Sequence, residues 1–106
     1  MVLTAMPPTP VNQAPVAMVG ADVTCGKAPL TIQFDGTGSY DPDDNISHSW
    51  DFGDGSTAGP GPDANPVHEY TANGTYVSVL TVTGGSLQAE AQLDITVKNG
   101  KCKGGR

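Results

Sequence analysis

The sequence predicts an all-β protein, an antiparallel β-sandwich of two sheets with about seven strands. Apolar residues recur at every second position in several short segments. Turn-forming clusters of Gly, Pro, Asn and Asp separate those segments at intervals of about ten residues. No window holds apolar residues at helical spacing for more than a turn, so no helix is predicted.

Taken in order, PVAMV at 15–19 is a short first strand. LTIQF places Leu30, Ile32 and Phe34 on one face, as the two-residue period of a strand requires. ISHSWDF puts Ile46, His48, Trp50 and Phe52 inward, with Ser47, Ser49 and Asp51 outward. VHEY at 67–70 is another short strand. TYVSVLTV groups Tyr76, Ser78, Leu80 and Val82, and AEAQLDITV turns Ala89, Ala91, Leu93, Ile95 and Val97 inward against Glu90, Gln92, Asp94 and Thr96. DGTGS, DPDDN, GDGS, AGPGPDANP, TANG and TGGS read as the turns between them.

A chain of 106 residues supports one domain with one modest core. Pro7, Pro8 and Pro10 make residues 1–14 an extended linker, the sandwich occupies 15–98, and 99–106 is a polar tail. No run of about 18 apolar residues is present to span a membrane. MVLTAMPPTP lacks the basic and apolar regions of a signal peptide, and its Met reads as the start of an excised piece.

The net charge is −6, and its distribution excludes partners. Ten acids lie between Ala28 and Val97 (Asp35, Asp41, Asp43, Asp44, Asp51, Asp54, Asp63, Glu69, Glu90 and Asp94), with no Lys or Arg among them. Such a body repels phosphate backbones and anionic membranes. Its acidity serves solubility in an extracellular or salty setting, or some of the carboxylates bind cations.

Cys25 and Cys102 fit no metal or redox spacing. A single pair in a small chain of this composition reads as one disulfide of a secreted protein, or else as two unrelated thiols of a cytosolic one. In an immunoglobulin-like sandwich the first strand often runs parallel to the last. The loop holding Cys25 would then lie where the last strand exits toward Cys102.

The segment WDFGDGS, from Trp50 to Ser56, contains the DFG triplet that holds magnesium in protein kinases. The glycine-rich loop, strand lysine and catalytic loop that kinase chemistry requires are missing. As structure the segment is coherent. Trp50 and Phe52 end a strand facing inward, Asp54-Gly55 reverses a hairpin, Gly53 marks a bulge, and Asp51 and Asp54 accept hydrogen bonds from loop amides.

WDFGDGS, preceded by GSYDPDDNISHSW and followed by NPVHEYTANGTYVSVLTVT, resembles the PKD domain family, immunoglobulin-like modules named after the polycystic kidney disease protein. The family pattern is roughly D-P-D-G-x-I, then W-D-F-G-D-G, then H-x-Y, then G-x-Y-x-V-x-L-x-V, and the resemblance covers about Ala14 to Val97. Trp50, Asp51, Phe52, Gly53, Asp54, Gly55, His68, Tyr70 and Tyr76 fall on its core and turn motif. The chain departs from the pattern at Asn45, where the family often has Gly one residue earlier, and at Gly84, where it commonly has Asp.

The resemblance implies a two-sheet sandwich that is a non-catalytic part of a secreted or cell-surface protein. Its implied roles are contacts with proteins or polysaccharides and the spacing or linkage of adjacent domains, and the isolated domain is expected to be a monomer. It implies no catalytic residue and no cofactor other than calcium. DPDDN has alternating oxygen ligands at Asp41, Asp43 and Asn45 but lacks the Gly and Glu of an EF-hand. Some collagenase members of the family bind calcium beside this turn. By that similarity the ligands here are Asn12, the carbonyl of Gln13, Asp41 and Asp43, while Gly84 brings no side chain. Read without a metal, Asp41-Pro42 opens a turn that the aspartate caps.

His68 is expected to hydrogen-bond within the fold and His48 to be partly buried; neither has a neighbour at a metal or general-base spacing. Carbohydrate binders often stack sugars on exposed rings. Phe34, Trp50, Phe52, Tyr70 and Tyr76 are all placed inward, leaving Tyr40 as the one ambiguous ring. This favours a spacer or a weak protein contact over a strong polysaccharide site. Asn45 and Asn73 begin N-x-Ser/Thr triplets that are glycosylation acceptors only in a suitable host.

Overall fold

A computed structural model describes residues 13–42, 44–100 and 102. Eight strands form: β1 Gly20–Ala21, β2 Cys25–Gly26, β3 Leu30–Asp35, β4 Ile46–Asp51, β5 Thr57–Gly61, β6 Val67–Tyr70, β7 Gly74–Gly84 and β8 Leu87–Val97. They build a three-stranded sheet, β1-β3-β6, and a five-stranded sheet, β2-β8-β7-β4-β5. No helix occurs among the described residues.

The alternation read in the sequence is the alternation of burial. Ile32 and Phe34 of β3, Trp50 at the end of β4, Phe52, Tyr70 of β6, Leu80 and Val82 of β7, and Ile95 and Val97 of β8 fill the space between the sheets. β7 and β8 pair along their whole length, from Gly74 opposite Val97 to Gly84 opposite Leu87, and β4 lies on the other side of β7, with Trp50 opposite Leu80. Apolar burial of this kind contributes about 1.5–3 kcal/mol for each large side chain.

Three details differ from the expected elements. PVAMV is not a strand. Val16 forms only an isolated bridge with Tyr40, and two residues on, the Met18 amide donates to Ser39 Oγ at 2.9 Å while that hydroxyl donates back to the Met18 carbonyl at 3.2 Å. A side chain thus stands where a ladder partner would be, and regular pairing begins only at Gly20, opposite Asp35. Next, AGPGPDANP is not all turn, because TAGPG forms β5. That strand is an edge paired only with β4, where a proline removes no bond on its free side. Gly59 sits at φ 84°, and the register shifts between His48 and Trp50 to admit it. Finally, Cys25 is in a strand and not a loop: β2 pairs parallel to β8, Cys25 opposite Thr96. The first strand is therefore split, β1 in one sheet and β2 in the other.

Candidate functional site

The WDFGDGS turn is built from its own polar groups. The Phe52 amide donates to the Ser56 carbonyl at 3.0 Å and closes the loop. Asp51 Oδ1 accepts from the Gly53 amide at 3.0 Å, and Asp54 Oδ1 from the Ser56 amide at 3.1 Å. Gly53 and Gly55 have φ of 86° and 97°, the left-handed region that other residues enter only with strain. Gly53 is constrained twice, since a Cβ there would stand 2.5 Å from the Val77 carbonyl oxygen.

Asp54 Oδ2 meets His68 Nε2 at 2.7 Å, tying the turn of one sheet to β6 of the other. Burial pushes the Asp54 carboxyl up, but the His68 and Ser56 hydrogen bonds and the attraction of His68 together outweigh it and hold it below its ordinary value. The His68 ring stacks on Phe52, with centroids 4.2 Å apart, and meets Tyr70 edge-on at 4.7 Å. Tyr70 donates its hydroxyl to the Phe52 carbonyl at 2.7 Å, and burial first, then the nearby Asp54 charge, push that hydroxyl up to about 12. Trp50 Nε1 donates to the Asp63 carbonyl at 3.3 Å, and Tyr76 to the Ala72 carbonyl at 2.6 Å. Every residue of the motif is thus occupied in packing or bracing. Asp51 and Asp54 each commit an oxygen to their own loop.

At the other end of the sandwich lies the acidic turn. Asn12 and Asp43, two of the implied calcium ligands, fall outside the described residues. Gln13 is exposed, and Asp41 Oδ1 accepts from the Asp44 amide at 3.1 Å, the cap expected without a metal. Gly84 is buried under Asp41, whose carboxylate fills the space a side chain at 84 would occupy. Position 84 therefore supplies no donor, and the described residues offer only part of the implied set. No group of three or more His, Cys, Asp or Glu arranged to hold a metal occurs among the described residues. His48 is 6% exposed, and neither ring nitrogen has a partner among them.

Trp50, Phe34 and Phe52 are buried, so they offer no stacking surface; Tyr40, 54% exposed, is the one strongly exposed ring among the described residues. A disulfide joins Cys25 to Cys102, with Cα atoms 5.8 Å apart. Sequence reasoning did not single out a shallow groove of about 310 Å³ lined by Gln33, Phe34, Asp35, Thr37 and Asn65. Its signal was available in part: Gln33 and Asp35 hold the outward parity of β3.

Residues 12–98 match the family model of the PKD domain. Among characterised proteins, the chain is 35% identical over 91 residues to collagenase ColQ1 of Bacillus cereus, covering 84% of this chain and 9% of that protein. It is 41% identical over 73 residues to a microbial collagenase of Vibrio alginolyticus, covering 68% and 8%. The chain thus spans less than a tenth of the length of these relatives. Among solved structures, the PKD1 domain of the Vibrio cholerae metalloprotease PrtV superposes with a TM-score of 0.67 at 36% identity, covering 82% of this chain and 100% of that one. A chain from a study of the promiscuous specificity of β-sandwich carbohydrate-binding modules superposes at 0.76 with 30% identity, covering 83% and 36%.

Proposed function

Since the chain belongs to the PKD domain family, we propose that it is a non-catalytic module of a secreted or cell-surface protein, making protein or polysaccharide contacts beside a catalytic or surface domain. The observation that carries this reading is the relation to collagenases of which it matches 9% and 8%, the share of one module in a much larger enzyme. The occupation of Asp51, Asp54 and His68 within the fold supports the absence of catalysis. Retention on insoluble collagen, chitin or cellulose in a pull-down is the expected result; release from all three would leave no contact function with these matrices.

A second reading, a calcium-stiffened spacer between domains, draws on where the chain enters and leaves. Val16 pairs with Tyr40 beside the acidic turn, whereas Val97 lies opposite Gly74 at the far end of the 11-residue β7. Flanking domains would then sit in series. Asp41 and the Gln13 carbonyl are the described groups that would hold the ion, which would neutralise the acidic turn and stiffen it. A ligand of the native state must raise the unfolding midpoint. An unchanged midpoint between calcium and chelator would remove calcium from this reading and leave a metal-free spacer.

A further inference from the structure

We propose that the groove beside Asp35 is a contact site for a guanidinium group, the arginine side chain of a protein partner. The proposal rests on the reading of the chain as a contact module and names the chemistry of one such contact.

The groove is rigidly built. Beyond β5 the chain folds back against the end of β3, with the Phe34 amide donating to the Pro66 carbonyl at 2.9 Å and the Gly36 amide to the Ala64 carbonyl at 2.7 Å. This close approach needs glycine at 36, where a Cβ would lie 3.0–3.2 Å from Leu80, Trp50 and the Ala64 carbonyl oxygen. The loop is held from below by the Trp50 indole on the Asp63 carbonyl, and its own Asp63 Oδ1 accepts from the Asn65 amide at 2.9 Å.

The donors of the groove are already engaged. Gln33 Nε2 donates to the Asn65 carbonyl at 2.7 Å and reaches the Phe34 carbonyl at 3.2 Å. The Thr37 amide and hydroxyl both donate to Asp35 Oδ1. The Asn65 side-chain nitrogen, in the orientation that satisfies both ends of the amide, faces Asp35 Oδ1 at 3.3 Å and the Ala64 carbonyl at 2.8 Å. What remains is a surplus of acceptors: Gln33 Oε1 and Asp35 Oδ2 receive no hydrogen bond from the described residues. The Thr37 hydroxyl and amide also hold the Asp35 carboxyl below its ordinary value, so it is ionised at neutral pH.

The complement of two acceptors, one of them charged, is a donor-only cation. Arginine carries five N–H donors in a planar fork, no acceptor and a permanent charge. A sugar hydroxyl brings an acceptor with every donor and leaves the carboxylate uncompensated, and a lysine ammonium directs its donors from a single point. Between Ala28 and Val97, the stretch that builds the groove, there is no Lys or Arg to compete. Because the lining is already fixed by hydrogen bonds, little ordering cost is left for the ligand to offset.

The test is an amide-resolved NMR titration of the intact domain with N-acetyl-argininamide, its lysine counterpart and N-acetylglucosamine. The arginine probe is expected to shift the Thr37, Gly36 and Asn65 amides with a millimolar dissociation constant, weakening as salt is raised. Asp35→Asn should weaken it by about tenfold or more, as for the loss of one charge-assisted hydrogen bond, while the Asn Oδ1 can still accept from Thr37 and the variant's amide spectrum stays that of the folded domain. No shift of these amides, or an equal response to lysine, overturns the guanidinium assignment; a stronger response to the sugar makes the groove a glycan site instead. Arginine binding by a domain that no insoluble matrix retains would keep this site while removing matrix contact from the proposed function.

Discussion

The two ends of the sandwich treat polar groups in opposite ways. At the WDFGDGS end, Trp50, Phe52, His68, Tyr70 and Tyr76 form a continuous run of ring contacts, and every polar atom on those side chains that needs a partner inside the fold has one: indole to Asp63, imidazole to Asp54, phenols to Phe52 and Ala72. At the acidic end, His48 and Asp44 Oδ2 are buried without a partner among the described residues, and the inward side of β8 falls from buried Ile95 and Val97 to half-buried Ala89, Ala91 and Leu93. One end is closed by ring-bearing side chains whose polar atoms are satisfied, with Ser78 Oγ the buried polar atom there that lacks a partner among the described residues; the other end is thinner and carries more polar groups at a cost. An unpaired buried polar group costs about 1–3 kcal/mol, so the closed end supplies stability that the acidic end draws down.

The largest test of this contrast is Trp50→Ala. It removes a ring that is 2% exposed, together with its hold on the Asp63 loop, and should cost about 3–5 kcal/mol in chemical denaturation. A loss under about 1 kcal/mol would mean that the closed end is not the stabilising one. Second is Cys102→Ser, which opens a link spanning a separation of 77 residues and should lower stability by roughly 2–4 kcal/mol, read as a fall in the thermal midpoint that reductant reproduces in the parent protein.

His68→Ala removes the stack on Phe52 and the Asp54 contact between sheets, for roughly 1–2 kcal/mol at neutral pH. Its pH dependence sharpens the point. Asp54 is held below its ordinary value of 3.8, so its contribution is present above that value and is lost as pH falls through the lower, folded one. The stability gap between the parent and Asp54→Asn should therefore close as pH falls below about 4; a gap that persists undiminished in strong acid would refute the clasp. Smallest, and opposite in sign, is His48→Leu. It replaces an imidazole without partners by an apolar side chain and should raise stability by about 1 kcal/mol. A loss instead would show that His48 has a partner in solution.

The long strands were legible because each has a buried face and a wet face: alternation over 75–82 and 89–97 is the direct imprint of a half-buried sheet. The turn motif was legible for a related reason, since Asp and Gly at Asp54-Gly55 perform local work that needs no distant partner. What escaped was decided by contacts far apart in sequence. PVAMV has strand composition, yet Ser39, 21 residues away from Met18, takes the place of its ladder. TAGPG has turn composition, yet the free edge of β4 makes it a strand. The Asp35 groove depends on a loop more than 30 residues further along the chain, so Gln33 gave no sign of its partner at Asn65.

By itself, then, the sequence determined the class of fold, the inward set of β3, β4, β7 and β8, and the turn of WDFGDGS, because periodicity and turn chemistry act over a few residues. The tertiary structure alone decided that the first strand divides between sheets, that Asp41 fills the place left by Gly84, and that Gln33, Asp35 and Asn65 converge on one groove. These depend on which segments the closed sandwich brings side by side, and hydrogen-bond and steric complementarity between them exists only once the sheets have packed.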